Sequence, residues 1–262
     1  MIRAMRTAAT GMQAQQRQVE TIANNIANVN TTGFKKNRLA FRSLLYQTYK
    51  RPGANVTKTQ VDPTGLQVGT GTEVSSSVKS FAQGDLVPTS GKYDVAIKGE
   101  GFFGVTGPTG EELYTRDGAL RIDADGLLVT PDGYSLSQAI TIPPDALSVT
   151  IGADGTVTTS SAASPAGTVA GQLKLFRFTN PAGLDARGDN FYAETASSGT
   201  ATEQTPGDTG TGTLKHGYLE RANVQVVDEL IELIQAQRNY ELNSRTIKVG
   251  DEMMQQVNQM VR

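Results

Sequence analysis

Apolar residues recur every seven positions at both ends of this chain. Met5, Met12, Val19 and Ile26 mark one stripe, with Met1, Ala8, Ile22 and Val29 at most of the companion positions. Val226, Leu233, Tyr240, Ile247, Met254 and Val261 mark a second stripe without a break, widened by Leu230, Ile234 and Val257. Sevenfold spacing puts such side chains on one helix face, which has to be buried against other helices. Two matching stripes at opposite ends predict that the ends meet and then pack against neighbouring copies. That pattern belongs to an assembly subunit rather than a catalyst.

The N-terminal helix is predicted to end near Asn28 to Asn30, where Gly33 can take the left-handed conformation that terminates helices. Gly11 inside it costs about 1 kcal/mol relative to Ala, which close approach of a neighbour would explain. From Phe34 to Tyr49 the residues Phe41, Leu44, Leu45, Tyr46 and Tyr49 predict a short amphipathic helix. The Gly-, Thr- and Pro-rich stretch from Ala54 to Thr72 reads as an irregular connection or paired strands. Between about Glu73 and Leu219 the pattern is β. Asp117–Gly118, Asp125–Gly126, Asp132–Gly133 and Asp154–Gly155 favour tight hairpins, and short alternating runs flank them. A polar stretch from Ala196 to Thr213 leads back to a last helix starting near Asn223, with Asp228 and Glu229 placed to favour its dipole. Gly250 puts the straightness of that helix in question.

The expected fold is α+β: terminal helices packed as a coiled coil, a central, mainly antiparallel β domain and an extended connecting region. The corresponding parts are 1–32 with 223–262, 33–72 with about 205–222, and 73–204.

Composition narrows the function. Only 37% of the 262 residues are hydrophobic, with 28 Gly and no Trp, a thin core for the length. A formal charge of -2 supplies no basic field for nucleic acid or an anionic membrane. No cysteine is present, which excludes disulfides and thiolate chemistry. Arg3 and Arg6 precede apolar residues as in some targeting peptides, but polar residues interrupt the continuous apolar run that a secretory signal needs. The stripe continues into Ile22, Ile26 and Val29, so the segment is expected to belong to the mature protein. No 18-residue apolar stretch spans a membrane.

Apparent chemical motifs dissolve on inspection. Gly99, Gly101 and Gly104 have dinucleotide-loop spacing, but a turn follows where a phosphate cradle needs a helix. Phe102 and Phe103 are expected to anchor a strand instead. Asp123 and Asp125 suggest a calcium loop that no Glu closes, so a hairpin turn is the better reading. A single histidine, His216, cannot build a triad or a multi-histidine metal site. Glu111 and Glu112 are read as solvated neighbours. Lys35, Lys36 and Arg38 are too few for nucleic-acid binding and read as a solvated junction or a contact with an acidic neighbour. No catalytic, cofactor or metal residue is assigned.

The run IANNIANVNTTGFKK from Ile22 to Lys36 resembles the N-terminal signature of the axial proteins of the bacterial flagellum, the rod and hook subunits. Ala23, Asn24, Asn25, Ala27, Asn28, Gly33 and Phe34 carry it, with Ile26 where Leu is usual. DVAIKGEGFF, YTRDGAL and QRNYELNSRTIK extend the resemblance over most of the chain. Within that family, LLYQTYKRPGA and PTGLQVGTGT are similar to a segment of the distal rod members. There the residues Leu44, Leu45, Tyr46, Gln47, Thr48, Pro52, Gly53, Gly65 and Gly69 are expected to set rod identity.

The resemblance implies a subunit exported through the flagellar type III apparatus without cleavage and polymerised helically into the rod of the basal body. Its terminal helices would wall the export channel, and its β body would face the outer ring proteins that act as a bushing. Partners would be further copies and the proximal rod and hook or hook-junction subunits, with no nucleic acid and no stable membrane insertion. Alternatives at this stage are a hook or proximal rod subunit, a secreted β-domain hydrolase, and a peripheral membrane or peptidoglycan-binding module.

Overall fold

A computed structural model of the chain describes residues 2–51, 55–57, 60–61, 64–162, 164 and 167–260. Two compact units emerge: residues 1–26, 37–78 and 225–262 form one, and residues 27–36 with 79–224 form the other.

The first unit holds both long helices. α1, Ile2–Ala27, has 26 residues and α2, Val226–Met260, has 35, about 39 and 52 Å at 1.5 Å per residue. Asp228 and Glu229 lie in the first turn of α2, where the dipole favours acids. That helix begins later than expected because Asn223 is used elsewhere: its amide donates to Ser80 O and Ala82 O and its Oδ1 accepts from Lys36 N. Gly250 does not interrupt α2.

The predicted helix over 34–49 is corrected to strand. Asn37–Ser43 pairs with Thr72–Lys79, and antiparallel pairs Gln47–Lys50 with Leu66–Val68 and Asn55–Thr57 with Gln60–Val61 follow, three two-stranded sheets in succession that make a ribbon. Leu44 N donates to Gly71 O at 2.9 Å and Thr70 Oγ1 to Leu45 O at 2.7 Å. The apolar spacing mimics a helix. The Thr-, Val- and Tyr-rich partner segments instead offer β pairing, which β-branched and aromatic residues favour.

The second unit is the β body. Asp185–Gly188, Phe191–Ala193, Glu112–Thr115 and Phe103–Thr106 form a four-stranded antiparallel sheet in that order. Ala146–Ile151, Thr156–Ser161 and Thr168–Gln172 form a three-stranded one. Thr213–His216 pairs with Val95–Lys98, and Tyr218–Glu220 with Leu86–Pro88, so the return segment is built into this body.

The main core contains Val95, Ile97, Phe103, Leu128, Leu173 and Leu175, all at most 1% exposed. A second cluster is aromatic, with Tyr114 and Phe178 edge to face at 4.8 Å, the arrangement that ring quadrupoles prefer. Phe102 belongs to it and Phe103 to the first, so GEGFFG serves as a strand entry.

Of the four Asp–Gly dipeptides, three are turns. Gly126, Gly133 and Gly155 sit at φ +80, +86 and +84. Asp117–Gly118 is corrected: it is not a hairpin turn but a close approach of two backbones. A Cβ on Gly118 would fall 1.6 Å from Val95 O.

Candidate assembly interface

The two helices meet antiparallel along a seam in which α2 offers small and polar groups to α1. Gly250 lies against Met5, where a Cβ would come within 2.9 Å of Met5 Cγ. A Cβ on Gly11 would reach 2.8 Å from Asn243 Nδ2, which gives this glycine the close neighbour expected for it. Further along, Gln18 Nε2 and Glu232 Oε2 are 3.5 Å apart.

At the end of the seam Asn25 is buried. Its Nδ2 donates to Glu229 Oε2 at 3.1 Å and to Asn37 O at 3.0 Å, while its Oδ1 accepts from Asn37 N. One signature amide thus fastens α1 to the start of the ribbon and to α2.

The predicted stripe residues divide accordingly. Ile22 is buried; Met5, Met12, Val19, Ile26, Leu233, Ile247 and Met254 are half-buried. Val226, Leu230, Ile234, Tyr240 and Val257 remain exposed, between 40% and 50%, and Val261 lies outside the described residues. Large apolar side chains on one helix, left in solvent over its whole length, mark a surface built to be covered. Val29, in the other unit, packs with Phe34, Ala222 and Val224.

The ribbon is similarly uncovered. Leu44 and Gly65 are half-buried, whereas Leu45, Tyr46, Gln47, Thr48 and Gly69 are exposed; Pro52 and Gly53 lie outside the described residues. Tyr46 packs its ring against Gly69 across the ribbon, 3.5 Å from where a Cβ would stand. Arg3 donates to Gln47 Oε1 at 2.6 Å and stacks on Tyr49 at 5.1 Å, tying the ribbon to α1. Arg3, Arg6, Thr10, Gln13, Leu44 and Thr70 line an open groove of about 730 Å³ there.

Of the remaining signature residues, Asn28, Gly33 and Phe34 belong to the unit of the β body, and Ala23, Asn24 and Ala27 to α1. Gly33, at φ +68, donates its N–H to Glu220 O at 2.9 Å, and a Cβ there would strike Asp117 N. Asn28 Oδ1 accepts from Thr31 Oγ1; Ala23, Asn24 and Ala27 are exposed.

Beside them lies a cluster that sequence reasoning left unassigned. Lys35 Nζ donates to Glu220 Oε1 at 2.6 Å and Ala82 O at 2.8 Å; Arg116 Nε donates to Glu220 Oε2 at 3.0 Å. Arg116 also donates to Gly99 O and Gly101 O, and Gly84 N donates to Glu220 Oε1. Burial, reinforced by the charge of Arg116 and opposed by Glu220, lowers the Lys35 amine to about 8. The solvated-junction reading of Lys35 is therefore wrong, and the acidic-neighbour reading names Glu220.

Long helices with exposed apolar stripes in one unit and an antiparallel β body in the other define the class: a structural subunit built to assemble. Successive parts match three family descriptions: flagella basal body rod protein over residues 5–35, flagellar hook protein FlgE/F/G D1 domain over 96–159, and flagellar basal body rod FlgEFG protein C-terminal over 215–260. The chain belongs to the FlgG family of flagellar basal-body rod proteins. It is 44% identical over 260 residues to flagellar basal-body rod protein FlgG of Buchnera aphidicola subsp. Schizaphis graminum, covering 99% of this chain and 100% of that one. Identity to FlgG of Borreliella burgdorferi is 44% over 264 residues, 100% of each chain. To FlgG of Bacillus subtilis it is 39% over 265 residues, 98% of each.

Proposed function

We propose that this chain polymerises helically with itself into the distal rod of the flagellar basal body and carries torque toward the hook. The observation that supports this most is the row of exposed apolar side chains along α2 in a member of the FlgG family. One chain leaves that row uncovered, and neighbouring copies would cover it. The role is structural, without catalysis.

In the assembled rod, residues 1–32 with 223–262 form the inner tube around the export channel. Residues 33–72 form the connecting layer, and 73–204, together with the return segment to about 222 that pairs with its strands, the outer body facing the ring proteins. Met5, Met12, Val19, Ile22, Ile26 and the α2 stripe make the contacts within the tube, whereas Val29 is used inside the other unit. Proximal rod and hook or hook-junction subunits adjoin the two ends, and the flagellar type III apparatus delivers the chain. Cryo-EM of polymer assembled from purified protein tests this: tubes walled by paired helices are expected, and a protein that stays monomeric at high concentration would overturn it.

A further inference from the structure

We propose that Asn223 and Asn25 make the backbone step from Lys36 to Asn37 a locked crossing instead of a hinge, with Asn223 the positioning residue that fixes where the chain leaves the β body. The chain passes from one compact unit to the other after residues 26, 36, 78 and 224. Such a crossing acts as a hinge when a few residues can change φ and ψ without losing bonds. At Lys36 and Asn37 every main-chain polar group is engaged.

Within the unit of the β body, Lys36 N donates to Asn223 Oδ1 at 2.8 Å and Lys36 O accepts from Ser80 N at 2.9 Å. Asn223 Nδ2 donates to Ser80 O at 2.8 Å and to Ala82 O at 3.0 Å. One side chain thus ties together three passages: the outgoing chain at Lys36, the returning chain at Ser80, and its own segment ahead of α2. An asparagine suits that task because its amide carries both the donor and the acceptor of a peptide group.

Asn223 is itself held in place. Ala222 and Val224 on either side of it are buried with Phe34. Arg221 N donates to Asp85 O at 2.9 Å, and a Cβ on Gly84 would fall 2.0 Å from Arg221 O, so those segments run in contact. The remaining passage is fastened to the same segment: Gly33 N donates to Glu220 O at 2.9 Å and Arg221 Nη2 to Asn30 Oδ1 at 3.2 Å.

Within the first unit, Asn25 Oδ1 accepts from Asn37 N and Asn25 Nδ2 donates to Asn37 O, both at 3.0 Å. Asn25 is 2% exposed, so its bonds are shielded from exchange with water. The peptide joining Lys36 to Asn37 therefore has its carbonyl held by Ser80 in one unit and its N–H held by Asn25 in the other. Turning that peptide would break both bonds at once. In the rod reading above, a crossing of this kind would pass torque without a soft step.

The chain has no cysteine, so Ser76→Cys on the ribbon and Ser148→Cys in the β body, both at exposed strand positions, can carry spin labels. Double electron–electron resonance on dilute full-length monomer should give one narrow distance distribution. Asn223→Asp keeps the acceptor for Lys36 N but loses both donors, and should broaden the distribution about twofold or more, with the near-ultraviolet circular dichroism of the body retained. Asn180→Ala, which removes a comparable bond to Ser197 O away from the crossing, should leave the width unchanged. A broad distribution in the parent, or an unchanged width in folded Asn223→Asp, would overturn the proposal. If Asn223→Asp unfolds the body, Asn25→Ala decides: it removes the other half of the lock, should broaden the distribution equally, and would overturn the proposal by leaving it narrow. Because the monomer is measured, failure to polymerise would overturn the rod reading and leave this result standing.

Discussion

Lys35 and Glu220 stand 185 positions apart in the chain and meet at 2.6 Å with neither side chain exposed. Glu220 also holds Arg116, so one carboxylate serves two buried cations. Removing the shared anion leaves both uncompensated, and breaking a buried pair in this way costs about 3–5 kcal/mol. Removing Lys35 leaves the Arg116–Glu220 pair intact. Glu220→Gln should therefore lower the urea midpoint of the β body clearly more than Lys35→Met, at unchanged m-value; equal midpoints would show that the triad is not energetically shared.

The same triad predicts an alkaline stability profile. Lys35 is lowered to about 8 in the folded chain, chiefly by burial, against 10.5 when free. Between those values the unfolded chain binds more protons, so this residue makes stability rise with pH from about 8 to 10.5. Lys79, also lowered by burial, adds in the same direction. Burial raises Tyr114 and pushes Tyr192 up to about 12. Their protons are held more tightly in the fold, so stability then falls above about 10. Calorimetry from pH 7 to 11 should show a rise followed by a fall. Lys35→Met should weaken the rise and leave the fall.

How much of this was legible beforehand follows from distance along the chain. The helices, their acidic first turn on α2 and three of the four Asp–Gly turns are local signals, readable from spacing and turn chemistry. The misread stretch at 34–49 is local too, but its exposed ribbon has no single buried face to impose alternation, and Phe41, Leu44, Leu45 and Tyr49 then happen to fall at helical spacing. Lys35 carries no mark of burial because its partner comes 185 residues later. Asn25 was selected by resemblance, yet its bonds to Asn37 and Glu229 depend on three elements arriving together.

Gly250 illustrates a residue whose helix propensity misleads. A Cβ there would meet Met5 at 2.9 Å from Cγ and 3.3 Å from Sδ, atoms that can rotate aside. Gly250→Ala should therefore be nearly neutral, since the strain offsets the gain of about 1 kcal/mol in propensity. Gly250→Leu should overpack the seam and lower the stability of the paired helices by about 1–3 kcal/mol. Met5→Ala in the same chain should restore most of it. Thermal melts followed by helical circular dichroism check the cycle, and additivity of the two changes would place the pair out of contact.

Removing residues 47–68 and closing the gap between Tyr46 and Gly69 with Asn–Gly should preserve the lower ribbon, because those two residues already face each other. Polymer should still form, with a persistence length several-fold shorter than that of the parent in electron micrographs. An unchanged persistence length would deny the ribbon its stiffening role.

The thin intramolecular seam implies that folding of the ends depends on assembly. In one chain α2 buries only Glu229, Ala236 and Gly250, while Val227, Leu230, Ile231 and Ile234 stay in water. Burial of so few side chains returns little of the conformational entropy that a 35-residue helix gives up. The β body carries its own apolar and aromatic clusters and does not need a neighbour for them. Hydrogen exchange on dilute monomer should therefore find the body protected and the helices opening at low free energy. On polymerisation the helical amides should slow by on the order of 100-fold, with the body's exchange unchanged. Strong protection of both helices in the monomer would mean that the seam alone suffices and that assembly joins subunits already complete.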